Sequence, residues 1–254
     1  MGSIVVDAPA DGVARLTISN PAKRNALDRG VLDGLVGALE AIDARCVILT
    51  GEGDVFSAGY DIGDLSPDAL AEEAAELLTH PFEAAVSALD AVPVPVIAAL
   101  GGHAFGGALE LAVTCDLRVC APGARLGMPP ARLGVVYSHT GLRRFVDAIG
   151  SSRTRELFFT ARPLPASEAL SWGLVNEVVP EVAPRAVALA EEIAALAPLS
   201  QRGNKRTLRA LVPPLDAGLE AELHALRDAA FRSEDFAEGV RAFTEKRQPK
   251  WRGT

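Results

Sequence analysis

The chain has 254 residues, 49% apolar and 23% charged, with a formal net charge of -8. That length allows a substantial core, and the charge argues against nucleic acid or an anionic membrane surface as the main partner, although a local basic cluster can still hold an anionic small ligand. Cys46, Cys115 and Cys120 show no metal or redox spacing and sit in apolar, strand-like contexts, which reads as reduced thiols in a cytoplasmic protein.

The first residues lack the basic and apolar blocks of a signal peptide. Apolar runs at 4–6 and 13–19 flank "APADG", which is hairpin chemistry. Asp28 is the predicted N-cap of a helix over 29–42. "CVILT" at 46–50 reads as a strand, 67–89 as a helix with helical apolar spacing, and 94–100 as a strand buried on both faces. A glycine loop follows, then a helix to residue 113 and a strand over 117–120. Residues 93–113 are long enough to cross a bilayer. The glycine cluster, His103 and Glu110 within them favour strand, loop and helix instead.

From residue 140 onward helical periods dominate, at 142–149, 152–160, 167–172, 184–196, 199–211, 215–231 and 234–246. Only 174–179 has strand character. This order predicts an α/β protein with a core over 1–195 and a C-terminal helical region over 196–254. Arg202, Lys205, Arg206 and Arg209 read as a solvated basic helix face.

Two glycine segments carry the chemistry. "GGHAFGGALELA" (101–112) opens a helix whose first amides have no partner within the helix, and "FSAGYDI" (56–62) offers a second turn with exposed amides. Two such donors converging on one oxygen make an oxyanion hole, each donor lowering a barrier by roughly 3–4 kcal/mol. A dinucleotide site is a poor fit. "GGHAFGG" does not spell G-x-G-x-x-G, and Asp116 begins the following strand rather than closing it. No Cys, His, Asp or Glu spacing predicts a metal.

"NPAKRNALD", "CVILTGEGDVFSAGYDI", "PVPVIAALGGHAFGGALELAVTCDLRV", "ARLGMPPARLG" and "ALSWGLVNEVV", in that order and spacing, resemble the crotonase (enoyl-CoA hydratase/isomerase) superfamily. The resemblance implies a spiral of ββα units, a C-terminal helical trimerisation region and a homotrimer or hexamer. It also implies an acyl-CoA thioester substrate that brings its own CoA, with no separate cofactor. The oxyanion-hole amides would be those of Tyr60 and Gly107. CoA contacts would fall at Lys23, Arg24, Ala26, Ala58, Asp61 and Ile62, while Phe243 and Lys246 would reach a neighbouring subunit's CoA.

Glu110 matches one of two glutamates that handle protons in the hydratases. Pro130 stands where the second is expected, and proline transfers no proton. "LGVVYSHTGLRRF", "ELFFTARPL" and the C-terminal "RSEDFAEGVRAFTEKRQP" look more like methylmalonyl-CoA decarboxylases, in which a tyrosine matching Tyr137 orients the substrate carboxylate. That subgroup has histidine where this chain has Tyr60. The expected activity is decarboxylation of a methylmalonyl-CoA-like substrate. The alternatives are an enoyl-CoA hydratase or isomerase relying on Glu110, and a catalytically silent CoA-binding protein. His139 reads as a helix-capping or exposed residue, or as a proton donor to the enolate. His103 reads as structural.

Overall fold

The computed structural model describes residues 1–61, 70–211 and 216–253, with 70–80 by their backbone course alone. Strands β1 (Ser3–Ala10) and β2 (Val13–Ser19) form the predicted hairpin, closed by Asp11-Gly12 with Gly12 at φ 68°. Asp28 caps α1 (Arg29–Glu40), its Oδ1 accepting the Val31 amide at 2.9 Å. Such a cap stabilises a helix by about 1 kcal/mol. Val31, Leu32, Leu35 and Leu39 form the buried face of α1.

The chain then repeats one unit three times. β3 (Cys46–Gly51) leads to β4 (Val55–Ser57) and α2 (Leu70–Ala91). β5 (Val96–Leu100) leads to β6 (His103–Phe105) and α3 (Gly107–Thr114). β7 (Leu117–Cys120) leads to β8 (Arg125–Gly127) and α4 (His139–Thr160). After these come β9 (Leu164–Pro165), α5 (Ala166–Trp172), β10 (Glu177–Val178), α6 (Val182–Ala194), α7 (Pro198–Ala210), α8 (Ala217–Phe231) and α9 (Glu234–Thr244). The first strand of each unit enters a sheet of order β1-β2-β3-β5-β7-β10, and the second enters a sheet of order β4-β6-β8-β9. Pairing is parallel except in the β1–β2 hairpin and between β8 and β9.

This is the expected α/β spiral of ββα units. The corner between the sheets is tight: a Cβ on Gly102 would lie 1.8 Å from the Asp54 carbonyl oxygen. Residues 93–113, checked above for membrane length, are β5, this corner, β6 and α3. Among the described residues no helix is long and apolar enough to cross a membrane.

Every residue of β5 is buried, and so are Gly107–Val113 of α3. A helix apolar on all sides belongs inside the molecule. The carboxyl end of α3 is held by the buried Arg118, whose Nη1 donates to Cys115 O at 2.6 Å and to Ala112 and Val113 O at 3.4 Å, while its Nε donates to Leu174 O at 2.7 Å. A cation among the last carbonyls offsets the negative end of the helix dipole. The three cysteines are free and buried, and burial pushes each thiol up to about 12.

Segments 142–149 and 152–160 are separate helical stretches within α4, broken at Gly150 with φ 75° and ψ 161°. α6 covers one face of the larger sheet, with Val182, Ala186, Ala190 and Ala194 packed in a cluster with Ile48, Ile97 and Val119. α8 and α9 pack on α2. The basic face of α7 is only partly solvated. Arg202 and Arg206 are exposed, but Lys205 is buried and donates to Val94 O at 2.7 Å and Asp116 Oδ2 at 2.5 Å. Arg209 reaches Val92 O at 3.5 Å. The helix face that carries Lys205 meets the start of β5, where a carbonyl and a carboxylate await a donor. Burial pushes the Lys205 ammonium below its ordinary pKa, and Asp116 opposes the shift.

Candidate active site

Asn25, at φ 56°, donates through Nδ2 to Glu52 O and Val55 O, both at 2.8 Å, and so pins residues 20–27 beside β4. Leu27 then bridges residue 60: its amide donates to Gly59 O at 2.8 Å, and its carbonyl accepts from the Asp61 amide at 3.2 Å. Alternation along an extended strand turns the intervening Tyr60 amide the other way. That amide meets no acceptor among the described residues.

Pairing of β4 with β6 brings this strand against the start of α3. Gly106 adopts φ 56° and ψ -128°, a region open to glycine, while its amide donates to Gly127 O at 2.9 Å. The amide of Gly107 is the first of α3 and also meets no acceptor among the described residues. The two segments touch: a Cβ on Gly107 would lie 2.6 Å from Tyr60 Cζ, so the tyrosine ring rests on this glycine. Two unsatisfied amides near a helix N-terminus suit an oxygen that gains negative charge.

Beside them opens a cavity of about 280 Å³ lined by Ala58, Tyr60, Gly106, Glu110, Pro130 and Tyr137, with Arg144, Arg227, Phe231 and Phe243 contributing from the C-terminal half. Glu110 is 2% exposed. Its Oε2 accepts from the Tyr137 hydroxyl at 2.5 Å, and Oε1 lies 3.4 Å from Arg144 Nη1. Gly141 makes this approach possible, since a Cβ there would sit 2.9 Å from Glu110 Oε1 and 2.6 Å from Tyr137 Cε1. Burial pushes the Glu110 carboxyl above its ordinary range, opposed by the Tyr137 hydrogen bond and by the charges of Arg144 and Arg227.

Burial together with the Glu110 charge holds the Tyr60 and Tyr137 phenols well above their ordinary values. Their rings are fixed edge to face, Tyr60 on Phe82 at 4.9 Å and Tyr137 on Phe158 at 5.4 Å. The cavity therefore holds a hydrogen-bonded Tyr137–Glu110 pair with the Tyr60 ring in the same wall.

Three further lining groups escape a reading by motif. Arg227 Nη1 donates to Glu83 Oε1 at 2.5 Å, and Arg144 Nη2 donates to Asp90 Oδ2 at 2.5 Å. The only sequence signal for the two arginines is a charge set among apolar helix positions, in "GLRRF" and "ALRDAAF". Glu83 gains its place only from the packing of α8 on α2.

The sequence-predicted CoA contacts are dispersed. Ala58 lines the cavity, and Phe243, 58% exposed, sits at the rim of its own chain's cavity. Lys23 Nζ pairs with Asp61 Oδ2 at 2.6 Å, beside the Leu27–Tyr60 bridge. Arg24 is exposed, whereas Ala26 is buried with its carbonyl accepting from Asn20 Nδ2. Lys246 is exposed after α9, and Ile62 lies outside the described residues. His103 Nδ1 accepts the Arg125 amide at 3.1 Å, a structural contact as expected. His139 opens α4 but turns toward α8, its Nε2 3.5 Å from Glu220 Oε1, and does not line the cavity. It is thus not placed to protonate an enolate formed there.

The enoyl-CoA hydratase/isomerase family model matches residues 9–254. A probable enoyl-CoA hydratase, echA6, of Mycobacterium leprae is 35% identical over 254 residues, covering 96% of this chain and 97% of the relative. A probable enoyl-CoA hydratase of Bacillus subtilis is 35% identical over 256 residues, covering 95% of each chain. Among solved structures, a methylmalonyl-CoA decarboxylase in complex with 2-nitronate-propionyl-CoA superposes with a TM-score of 0.90 at 31% identity, covering 99% of both chains.

Proposed function

This chain belongs to the enoyl-CoA hydratase/isomerase family of acyl-CoA enzymes, and within it we propose that it decarboxylates a methylmalonyl-CoA-like thioester. The observation that carries this reading is Pro130 in the wall of the cavity that also holds a buried Glu110 already engaged by Tyr137. Hydration needs one group to activate water and another to move a proton at the α-carbon. Loss of carbon dioxide needs no base at that carbon, because the breaking C–C bond supplies the electron pair.

In this reading the thioester oxygen sits on the amides of Tyr60 and Gly107. The substrate carboxylate meets the Tyr137 hydroxyl on the side of the cavity bearing Arg144 and Arg227. When the C–C bond breaks, its electrons enter the thioester and form an enolate on the two amides. The α-carbon then takes a proton relayed from Glu110 through Tyr137, giving carbon dioxide and the shortened acyl-CoA. Burial raises the protonated fraction of Glu110, which serves that step and lessens the like charge facing the incoming carboxylate. The exposed Leu199, Leu208 and Leu211 on and beside α7 are consistent with self-association as a homotrimer or hexamer.

Methylmalonyl-CoA and crotonyl-CoA, offered separately, test the proposal by chromatography of the CoA products. The expected product is propionyl-CoA from the first. Hydration of crotonyl-CoA at a higher rate than this decarboxylation overturns it. That outcome favours the second reading, a hydratase or isomerase using Glu110 alone, for which the names of the curated relatives speak.

A further inference from the structure

Outside the cavity, the fold gathers three side chains whose chemistry the proposed reaction leaves unused. His139 is the first residue of α4, and Glu220 and His224 stand one turn apart on one face of α8. His139 Nε2 lies 3.5 Å from Glu220 Oε1, and the two imidazoles meet edge to face with centroids 5.0 Å apart. One ligand atom from each residue lies within 4.8 Å of the other two. We propose that His139, Glu220 and His224 bind a divalent transition metal of the zinc class and that the ion clips α8 to the first turn of α4.

The donor set selects the ion. Two imidazole nitrogens and one carboxylate oxygen suit zinc and its neighbours, whereas calcium and magnesium favour all-oxygen shells. Ligand atoms about 2.0–2.2 Å from a tetrahedral ion stand roughly 3.3–3.5 Å from one another. The His139–Glu220 pair already meets that spacing, and the rest closes by side-chain rotation of the exposed Glu220 and His224. Their exposure also leaves an entry path and room for water at a fourth position. A simple ion pair accounts for one histidine beside Glu220. It does not account for a second imidazole within reach of both groups.

The clip has a mechanical consequence. α8 carries Arg227 and Phe231 into the cavity wall, and the first turn of α4 directly follows Tyr137 and Ser138. A bound ion therefore fixes the separation of two walls without touching the reacting atoms.

The test uses the full chain freed of metal by a chelator, titrated with Zn²⁺ by calorimetry and with Co²⁺ as a visible-absorption probe. The expected result is one equivalent per chain, visible bands of tetrahedral Co²⁺, and a melting temperature that rises with Zn²⁺. His224→Ala and Glu220→Gln, neither of which lines the cavity, should each weaken binding at least about tenfold by removing a ligand. Metal-free melting near that of the parent chain shows that the variants fold. The proposal is overturned if the parent chain shows neither heat nor Co²⁺ bands, or if His224→Ala binds with the parent's stoichiometry and affinity.

Discussion

Replacing Tyr137 with Phe removes one hydroxyl and leaves the ring in its edge contact with Phe158. That hydroxyl donates at 2.5 Å to a carboxyl only 2% exposed. In the proposed reaction it is offered to the substrate carboxylate, and a hydrogen bond to a charged group is worth about 1.5–3 kcal/mol. If the interaction is carried into the transition state, kcat/KM for methylmalonyl-CoA falls about 10- to 150-fold, at 1.36 kcal/mol per decade. The variant should also shift the pH profile. Burial raises the Glu110 carboxyl and the Tyr137 hydrogen bond opposes that rise, so losing the hydroxyl takes Glu110 higher still. Ionised Glu110 repels a substrate carboxylate. The parent enzyme should therefore lose kcat/KM as pH rises through the elevated Glu110 value, and Tyr137→Phe should lose it at a higher pH. Initial rates of propionyl-CoA formation across the acid-to-neutral range measure both effects. An unchanged rate with an unmoved alkaline limb refutes the reasoning.

Glu110→Gln should flatten that limb while lowering propionyl-CoA formation less than Tyr137→Phe does, because the relayed proton arrives only after the C–C bond has broken; a deeper loss than Tyr137→Phe refutes that order of events. Because its folded pKa is raised, protonated Glu110 stabilises the fold below the unfolded value, and that stability is lost as pH rises through the folded one. Denaturant midpoints should thus move in favour of Glu110→Gln as pH rises above the ordinary glutamate value. Gly107→Ala puts a Cβ 2.6 Å from Tyr60 Cζ, so ring and amide must shift. The expected result is a fall in kcat of roughly 10²–10³-fold, the size of a lost oxyanion donor, with an unchanged circular dichroism spectrum. Lys205→Met leaves Val94 O and the partly exposed Asp116 without their donor and should destabilise the chain by roughly 2–3 kcal/mol in denaturant unfolding. The depressed Lys205 pKa means that the unfolded chain binds more protons, so parent stability should climb as pH approaches the ordinary lysine value. The methionine variant should lack that climb.

What the sequence discloses depends on the range over which each feature is decided. The hairpin, the Asp28 cap, β5 and β7 follow from residues within one or two turns of each other, and the structure has them where the pattern puts them. β4, β6, β8 and β9 are two or three residues long, too short for alternation to register, and they exist because the first sheet delivers them side by side. Lys205 shows the same limit: helical spacing marks a basic face, but only contact with the start of β5 decides which member is buried. The site follows this division. Gly106, Gly107 and Glu110 are legible because a helix N-terminus and its first turn are local objects. The charge state of Glu110 is not, since it is set by Tyr137 27 positions on, by Arg144 34 positions on and by Arg227 from α8. A fold does not by itself fix a reaction, and in the proposed reading the distinction is carried by what fills the wall at positions 130 and 137. Identity near one third with relatives named as probable enoyl-CoA hydratases shows the family and with it the fold. A proline in that wall argues for chemistry in which the substrate's own bond, rather than a second carboxylate, supplies the electrons.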